Sequence, residues 1–358
     1  MSQAFAGQRF EFHQPDGSEI ALVGWGNQFE ALFETTDGYT VVVNPATGFY
    51  EYAVLSADGT TLLPSGTVVS AQSTFAGNPT HVRTTRAASV MRARAAHDSD
   101  GPVRRWEQRR QQRVTRIAAS DPQRSPAPAA APPSGNVTGL CLLIRFPDVA
   151  ETITRQQVDD FCNLPGYTGF SNNGSVYDYF VHASDGMLQY RNLVTAYYTA
   201  MNNRAHYTDP AIPFGQRARE LIVEALTSLS SAGFDFSSLT ADSGGYVYAL
   251  NIFYVGARVN NWSQGLWPHA WGLASPFDIG SGRRLNDYQI TNMGSDLSLR
   301  TFCHENGHMV CDFPDLYDYG SDSSGVGNFC LMCFGGDDKN PVEISGALKH
   351  EAGWAPSP

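Results

Sequence analysis

The chain has 358 residues, 42% of them hydrophobic, and a formal charge of -11. That is enough apolar material for two domains with real cores, and the acidic balance argues against nucleic acid as the main partner, because proteins that grip phosphate backbones concentrate positive charge where they dock. No stretch reaches the ~20 apolar residues that a bilayer-spanning helix needs.

Residues 8 to 68 read as short strands of apolar and aromatic runs, broken by turns at Pro15-Asp16-Gly17, Asp37-Gly38 and Asp58-Gly59. This predicts a small, mostly antiparallel β module over residues 1–80. The basic charge then gathers in one place. Eleven of the 24 Lys+Arg are arginines between Arg83 and Arg124, and the rest of the chain carries 13 basic against 31 acidic residues. This Ala/Arg/Gln-rich stretch has good helix propensity and little apolar periodicity, so a solvated helix is expected, exposed and open to cleavage at Arg104-Arg105 and Arg109-Arg110. "SDPQRSPAPAAAPPSG" follows as an extended Pro/Ala spacer. Residues 81–135 are therefore read as a helical segment plus linker, with the domain boundary in the spacer.

From residue 136 to 358 the pattern alternates. "VTGLCLLIRFPD" reads as a buried strand, and "TRQQVDDFCNL", "VYDYFVHASDG" and "GQRARELIVEALTSLSSAG" as helices, the last stopped at Gly233. "GYVYALNIFYVGA", "GLWPHAWGLAS" and "LNDYQITNM" follow as strands. Asp296 to Val310 is helix-compatible, and a final helix is expected from Val342 to about Ala352, started by Asn340-Pro341. The order predicts an α+β domain with a mixed sheet and a central helix. Trp262, Trp267 and Trp271 read as packing residues. The six cysteines, Cys141, Cys162, Cys303, Cys311, Cys330 and Cys333, make an even count that favours disulfides in an extracellular chain, although no signal peptide is visible.

The chemistry concentrates in "TFCHENGHMVCDFPDLYDYG", residues 301–320. On a helix, His304 and His308 lie one turn apart on one face and can both reach a single zinc ion. Glu305 projects beside that ion, where it can take a proton from water. A catalytic zinc needs a third protein ligand and an open fourth position. Phe313-Pro314 should end the helix and let the chain swing back, which makes Asp315 the first choice, Asp318 the second and the thiol of Cys311 a rival. Gly307 inside the helix costs ~1 kcal/mol relative to alanine and suits close approach by another segment. Tyr317, Tyr319 and His269 are candidate donors to substrate or to a developing oxyanion.

"HENGHMVCDFPDLYDYG", "GVGNFCLMCFGG", "NNGSVYDYFVHASDGMLQYRNLVTAYYTA" and "GLWPHAW" together resemble the catalytic domain of the immune inhibitor A family of secreted zinc metallopeptidases. "QPDGSEI", "ETTDGYTVVVN" and "YEYAVLSADGT" resemble its propeptide. The resemblance implies a zincin-like (metzincin-like) catalytic domain, with His304, His308 and Asp315 as zinc ligands, Glu305 as catalytic base and Met332 in a turn beneath the metal. It also implies a secreted proenzyme acting on proteins or peptides, with the N-terminal propeptide as an intramolecular inhibitor. Structural calcium at the acidic loops "DYGSDSSG" and "GGDDKN" is a further implication of the resemblance, although neither loop fits the twelve-residue EF-hand pattern and both read as solvated turns. One departure stands out: the family's commoner form has glycine three residues after the second histidine and aspartate six after it, whereas here Cys311 takes the third place and Asp315 the seventh. The readings that compete with a peptidase are an inactive zincin-like adhesion or binding module and a structural zinc domain.

Overall fold

The computed structural model describes residues 4–70, 73, 75–98, 104–119, 134–318 and 323–355. In the first hundred residues, alternating burial along Phe5–His13 (β1) and Glu19–Gly26 (β2) puts one face of each strand into a core. Ala31–Glu34 (β3), Thr40–Val43 (β4), Tyr50–Leu55 (β5) and Leu62–Val68 (β6) extend them into a six-stranded antiparallel sheet whose spatial order is the chain order. The three expected turns are there: Gly17, Gly38 and Gly59 all take positive φ. Phe10 and Phe12 pack edge-on against Phe33 with ring centroids 5.4 and 5.0 Å away, and Gly24 leaves room for them, since a Cβ there would lie 2.7 Å from Phe33. The helix Arg86–Asp98 (α1) is tied to this sheet by Arg92, which bonds Glu30 and the Thr60 carbonyl.

The chain groups into two compact units. One comprises residues 4–100 with 317–325. The other comprises residues 1–3, 101–316 and 326–358. The units divide ahead of the second arginine-rich helix, Arg105–Ala119 (α2), and not in the Pro/Ala spacer where the sequence reading placed the boundary; the spacer lies mostly outside the described residues. The physical reason is charge, because the arginines of α2 meet buried acids of the C-terminal unit.

That unit is a mixed α+β structure around a five-stranded sheet of order β10-β11-β9-β7-β8. Gly135–Arg145 (β7) and Leu250–Val255 (β9) are near-continuous apolar runs, as expected of strands covered on both faces. Leu188–Thr199 (β8), β7, β9 and Arg283–Met293 (β11) run parallel, and His269–Gly280 (β10) closes one edge antiparallel to β11. Arg155–Asn163 (α3) and Val176–Ala183 (α4) pack on β8, and each starts with a full capping box, from Thr154 and Ser175. The short Arg204–Tyr207 (α5) precedes Gln216–Ser231 (α6), which packs on β10. Leu299–Cys311 (α7) carries the two histidines and packs against α2, α4 and β11.

Three local expectations change. The final helix, Gly346–Glu351 (α8), starts four residues later than expected, because Pro341 and Val342 are used in a bridge to Gly335 and Gly336 and Ser345 supplies the cap. β8 has no counterpart among the expected strands, since its inward positions include Tyr190 and Asn192, whose polarity disguises the alternation. The cysteines form no disulfides. All six are buried thiols that pack in the core as small side chains, and burial pushes Cys162, Cys303 and Cys311 well above the ordinary thiol range.

Asn306 of α7 fixes that helix on the sheet. Its amide nitrogen donates to Asn251 Oδ1 at 2.9 Å and its oxygen accepts from Tyr190 Oη at 2.6 Å, while Asn251 donates to Asn192 and accepts from Gln289. The geometry of three strands, β8, β9 and β11, is thus referred to one side chain. The cluster needs Gly139 on β7, where a Cβ would lie 2.7 Å from Tyr190 Oη and 3.1 Å from Ala249. Gly139→Ala is accordingly expected to cost about 1–3 kcal/mol by overpacking, read as a lowered denaturation midpoint; an unchanged midpoint would show that Tyr190 can yield.

Candidate active site

α7 is buried almost throughout. It ends at Asp312, which adopts a left-handed conformation (φ 56°, ψ 30°) and donates its N–H to the Gly307 and His308 carbonyls. Phe313 N–H returns to Gly307 O, so the chain reverses and brings Asp315 back onto the helix. The turn thus comes one residue before the expected Phe313-Pro314 stop.

Asp315 Oδ1 lies 3.1 Å from His304 Nε2 and 3.2 Å from His308 Nε2, and the two Nε2 atoms are 3.2 Å apart. These three residues are the group of acidic, thiol or imidazole side chains, among the described residues, with the spacing to hold a metal ion. Two ligands at tetrahedral corners ~2.0–2.1 Å from zinc are separated by about 3.3 Å, so the near-equilateral triangle fits one such ion. The Nδ1 atoms face away. His304 Nδ1 donates to Leu331 O at 2.8 Å and His308 Nδ1 to Phe313 O at 2.6 Å, which fixes the tautomer with Nε2 directed at the triangle. These backbone partners carry no sequence signal, since any residue supplies a carbonyl.

The electrostatics are those of a crowded, dry site. Burial would drive His304 down, but the hydrogen bond and charge of Asp315, together with the charge of Glu305, outweigh it and hold His304 above its ordinary value. At His308 burial wins and the ring lies below its ordinary value. Against the burial cost, the two imidazoles hold the Asp315 carboxyl well below the usual range. Glu305 follows His304 on α7 and is 1% exposed. Met332, wholly buried, packs under the helix at Gly307, where a Cβ would sit 2.6 Å from its sulfur. That close approach accounts for a glycine in the middle of a helix.

The rivals for the third position lie elsewhere. Cys311 is buried at the end of α7 outside the triangle, and Asp318, grouped with the N-terminal unit, pairs with Arg86 at 3.8 Å. His269 is in β10 with both nitrogens engaged: Nδ1 donates to Trp267 O and Nε2 accepts from Tyr288 Oη, and burial lowers the ring to about 3, so it has no donor left for a substrate. Tyr317 is buried and groups with the N-terminal unit; Tyr319 lies outside the described residues. Trp267 and Trp271 are buried packing residues, Trp271 lying between Phe214 and the Arg219 guanidinium. Of the two acidic loops, residues 319–322 of the first lie outside the described residues. In the second, Asp337 accepts from the Lys339 and Asn340 amides and Asp338 pairs with Arg300.

Three residues beside the site were not anticipated. Trp106 of α2 stacks on the His308 ring at 4.8 Å and 29°, Asp287 of β11 accepts the Arg105 and Trp106 amides, and Asp312 receives Arg109 and Arg113. Of the arginines expected to be solvated, Arg83, Arg86 and Arg94 are exposed, but Arg104, Arg105, Arg109 and Arg113 are turned inward, and the Arg104-Arg105 and Arg109-Arg110 bonds lie at the start of and within a packed helix. Comparison with protein-family models and with curated proteins finds no match to the chain. Among the described residues no helix is long and apolar enough to cross a membrane.

Two outcomes test this geometry. Because His304 titrates above 6.5 without metal and must be neutral to bind one, zinc affinity should rise with pH through that raised value and fall about tenfold per pH unit below it, with release of one proton. Calorimetry in buffers of differing ionisation enthalpy measures this, and a flat profile with no proton release would contradict the assignment. Gly307→Ala gains ~1 kcal/mol of helix propensity but forces Met332 aside, at about 1–3 kcal/mol; zinc affinity is expected to drop while the helix content by circular dichroism stays constant.

Proposed function

We propose that the C-terminal unit is a zinc-dependent endopeptidase of the immune inhibitor A type, made as a secreted proenzyme whose N-terminal portion is its propeptide. The observation that carries this reading is the buried triangle of His304 Nε2, His308 Nε2 and Asp315 Oδ1, with Glu305 next to the first ligand on the same helix. The mixed sheet with one antiparallel edge strand, beside a helix bearing the ligands, supports a zincin-like catalytic domain. Met332 beneath Gly307 supports its assignment to the turn under the metal.

His304, His308 and Asp315 would hold the ion, which when bound supplies a Lewis acid that polarises a peptide carbonyl and acidifies water. The Leu331 and Phe313 carbonyls keep the two rings from swivelling. Glu305 accepts the proton of the attacking water and returns it to the departing amine. β10 ends the sheet, so a substrate segment in extended form adds along it as a further strand.

The reading predicts one zinc per chain and casein hydrolysis once the propeptide is removed. Glu305→Gln should keep the zinc and lose at least ~10³-fold in kcat, the scale of a lost general base. Hydrolysis that survives this substitution, or a chain that binds no metal, would overturn it.

A further inference from the structure

A hydrolytic centre must be reached by its substrate, yet His304, His308, Glu305 and the Asp315 side chain are at most 1% exposed. Some element has to move. Among the elements around the triangle, α2 stands out for the ion pairs that attach it to the rest of the unit, through Arg105, Arg109, Arg110 and Arg113.

The α2 contacts form a coherent set. The Asp287 carboxylate caps the helix start, accepting the Arg105 and Trp106 amides at 2.8 Å each. Arg105 bonds Asp242 at 2.7 Å. Arg109 bonds Asp312 at 2.8 Å, Asp242 at 3.3 Å and the Met309 carbonyl at 2.7 Å. Arg110 reaches Glu351, and Arg113, itself buried, pairs with Asp312. Trp106 supplies the apolar anchor, 4% exposed, with its ring laid on His308. Partners that face one another as buried carboxylates and guanidiniums bind specifically but with little net gain over their desolvation cost, which suits an attachment that has to be undone. Asp312 is also the residue at which α7 reverses toward Asp315, so the arginines hold the same turn that delivers the third ligand.

We propose that α2 is an autoinhibitory strap: Trp106 covers the ligand cluster, Asp242, Asp287, Asp312 and Glu351 form an acidic receptor for the strap's arginines, and substrate reaches the site only when the strap is released. This rests on the peptidase reading for its purpose but not for its geometry. The receptor's ligand class is a basic helix bearing tryptophan, supplied here by the chain itself.

The test uses the full uncleaved chain loaded with zinc. Trp106→Ala removes the cover and leaves every ion pair in place; Arg109→Gln/Arg113→Gln loosens the anchor and leaves the tryptophan. Two readouts are taken on variants with wild-type circular dichroism: the rate at which excess chelator strips zinc, and hydrolysis of fluorescent casein. The strap requires zinc stripping at least about tenfold faster in both variants. Unchanged stripping rates in both would overturn it, as would full casein hydrolysis by the uncleaved wild type. Hydrolysis that rises in the variants and vanishes on adding Glu305→Gln supports both readings. Accelerated stripping with no hydrolysis in any variant upholds the strap as the cover of the metal cluster and removes the peptidase reading instead.

Discussion

Three lone-pair-bearing atoms held 3.1–3.2 Å apart in a dry interior repel one another unless a positive charge sits among them. In the C-terminal unit much of the surrounding structure meets that demand. The Leu331 and Phe313 carbonyls turn the ring nitrogens inward, the left-handed Asp312 turns the chain so that Asp315 can join, and Gly307 lets Met332 close the underside. Without an ion the two imidazoles hold the Asp315 carboxyl well below the usual range, Asp315 and Glu305 hold His304 above its ordinary value, and burial keeps His308 below its own.

The strength of the arrangement lies behind the site, in side chains outside the His304–His308–Asp315 triangle. The Asn306–Asn251–Tyr190 cluster is fully buried and its members satisfy one another, which in a low-dielectric core rewards one arrangement and penalises every neighbouring one. The ligand helix is therefore registered against β8, β9 and β11 by directional bonds as well as by the fit of apolar surfaces.

The parts legible in the sequence were those with local signals. Asx-Gly turns at Gly17, Gly38 and Gly59, the apolar run of β7 and the i, i+4 histidines follow from neighbours in the chain. A reach argument ranked Asp315 over Asp318, and it is Asp315 that meets the two histidines. What escaped depends on partners that only the folded chain brings into place. Cysteine parity suggested bridges where the core uses thiols as small apolar groups, and His269 looked available until Trp267 and Tyr288 took both its nitrogens. α2 was misjudged for a specific reason. Amphipathic pattern reading assumes that the inward face is apolar, but here Arg109 and Arg113 point in and their counter-charges come from Asp242 and Asp312, more than a hundred residues away. Asp312 both makes the reversal at the end of α7 and receives those arginines.

The Asn306 cluster also governs how the protein comes apart. Turning α7 by one residue, about 100°, would strand the Asn306 amide in an apolar layer and pull both imidazoles off their carbonyls in the same motion. The centre and the sheet beneath it therefore share one set of directional bonds, so a register slip of α7 would disturb both at once.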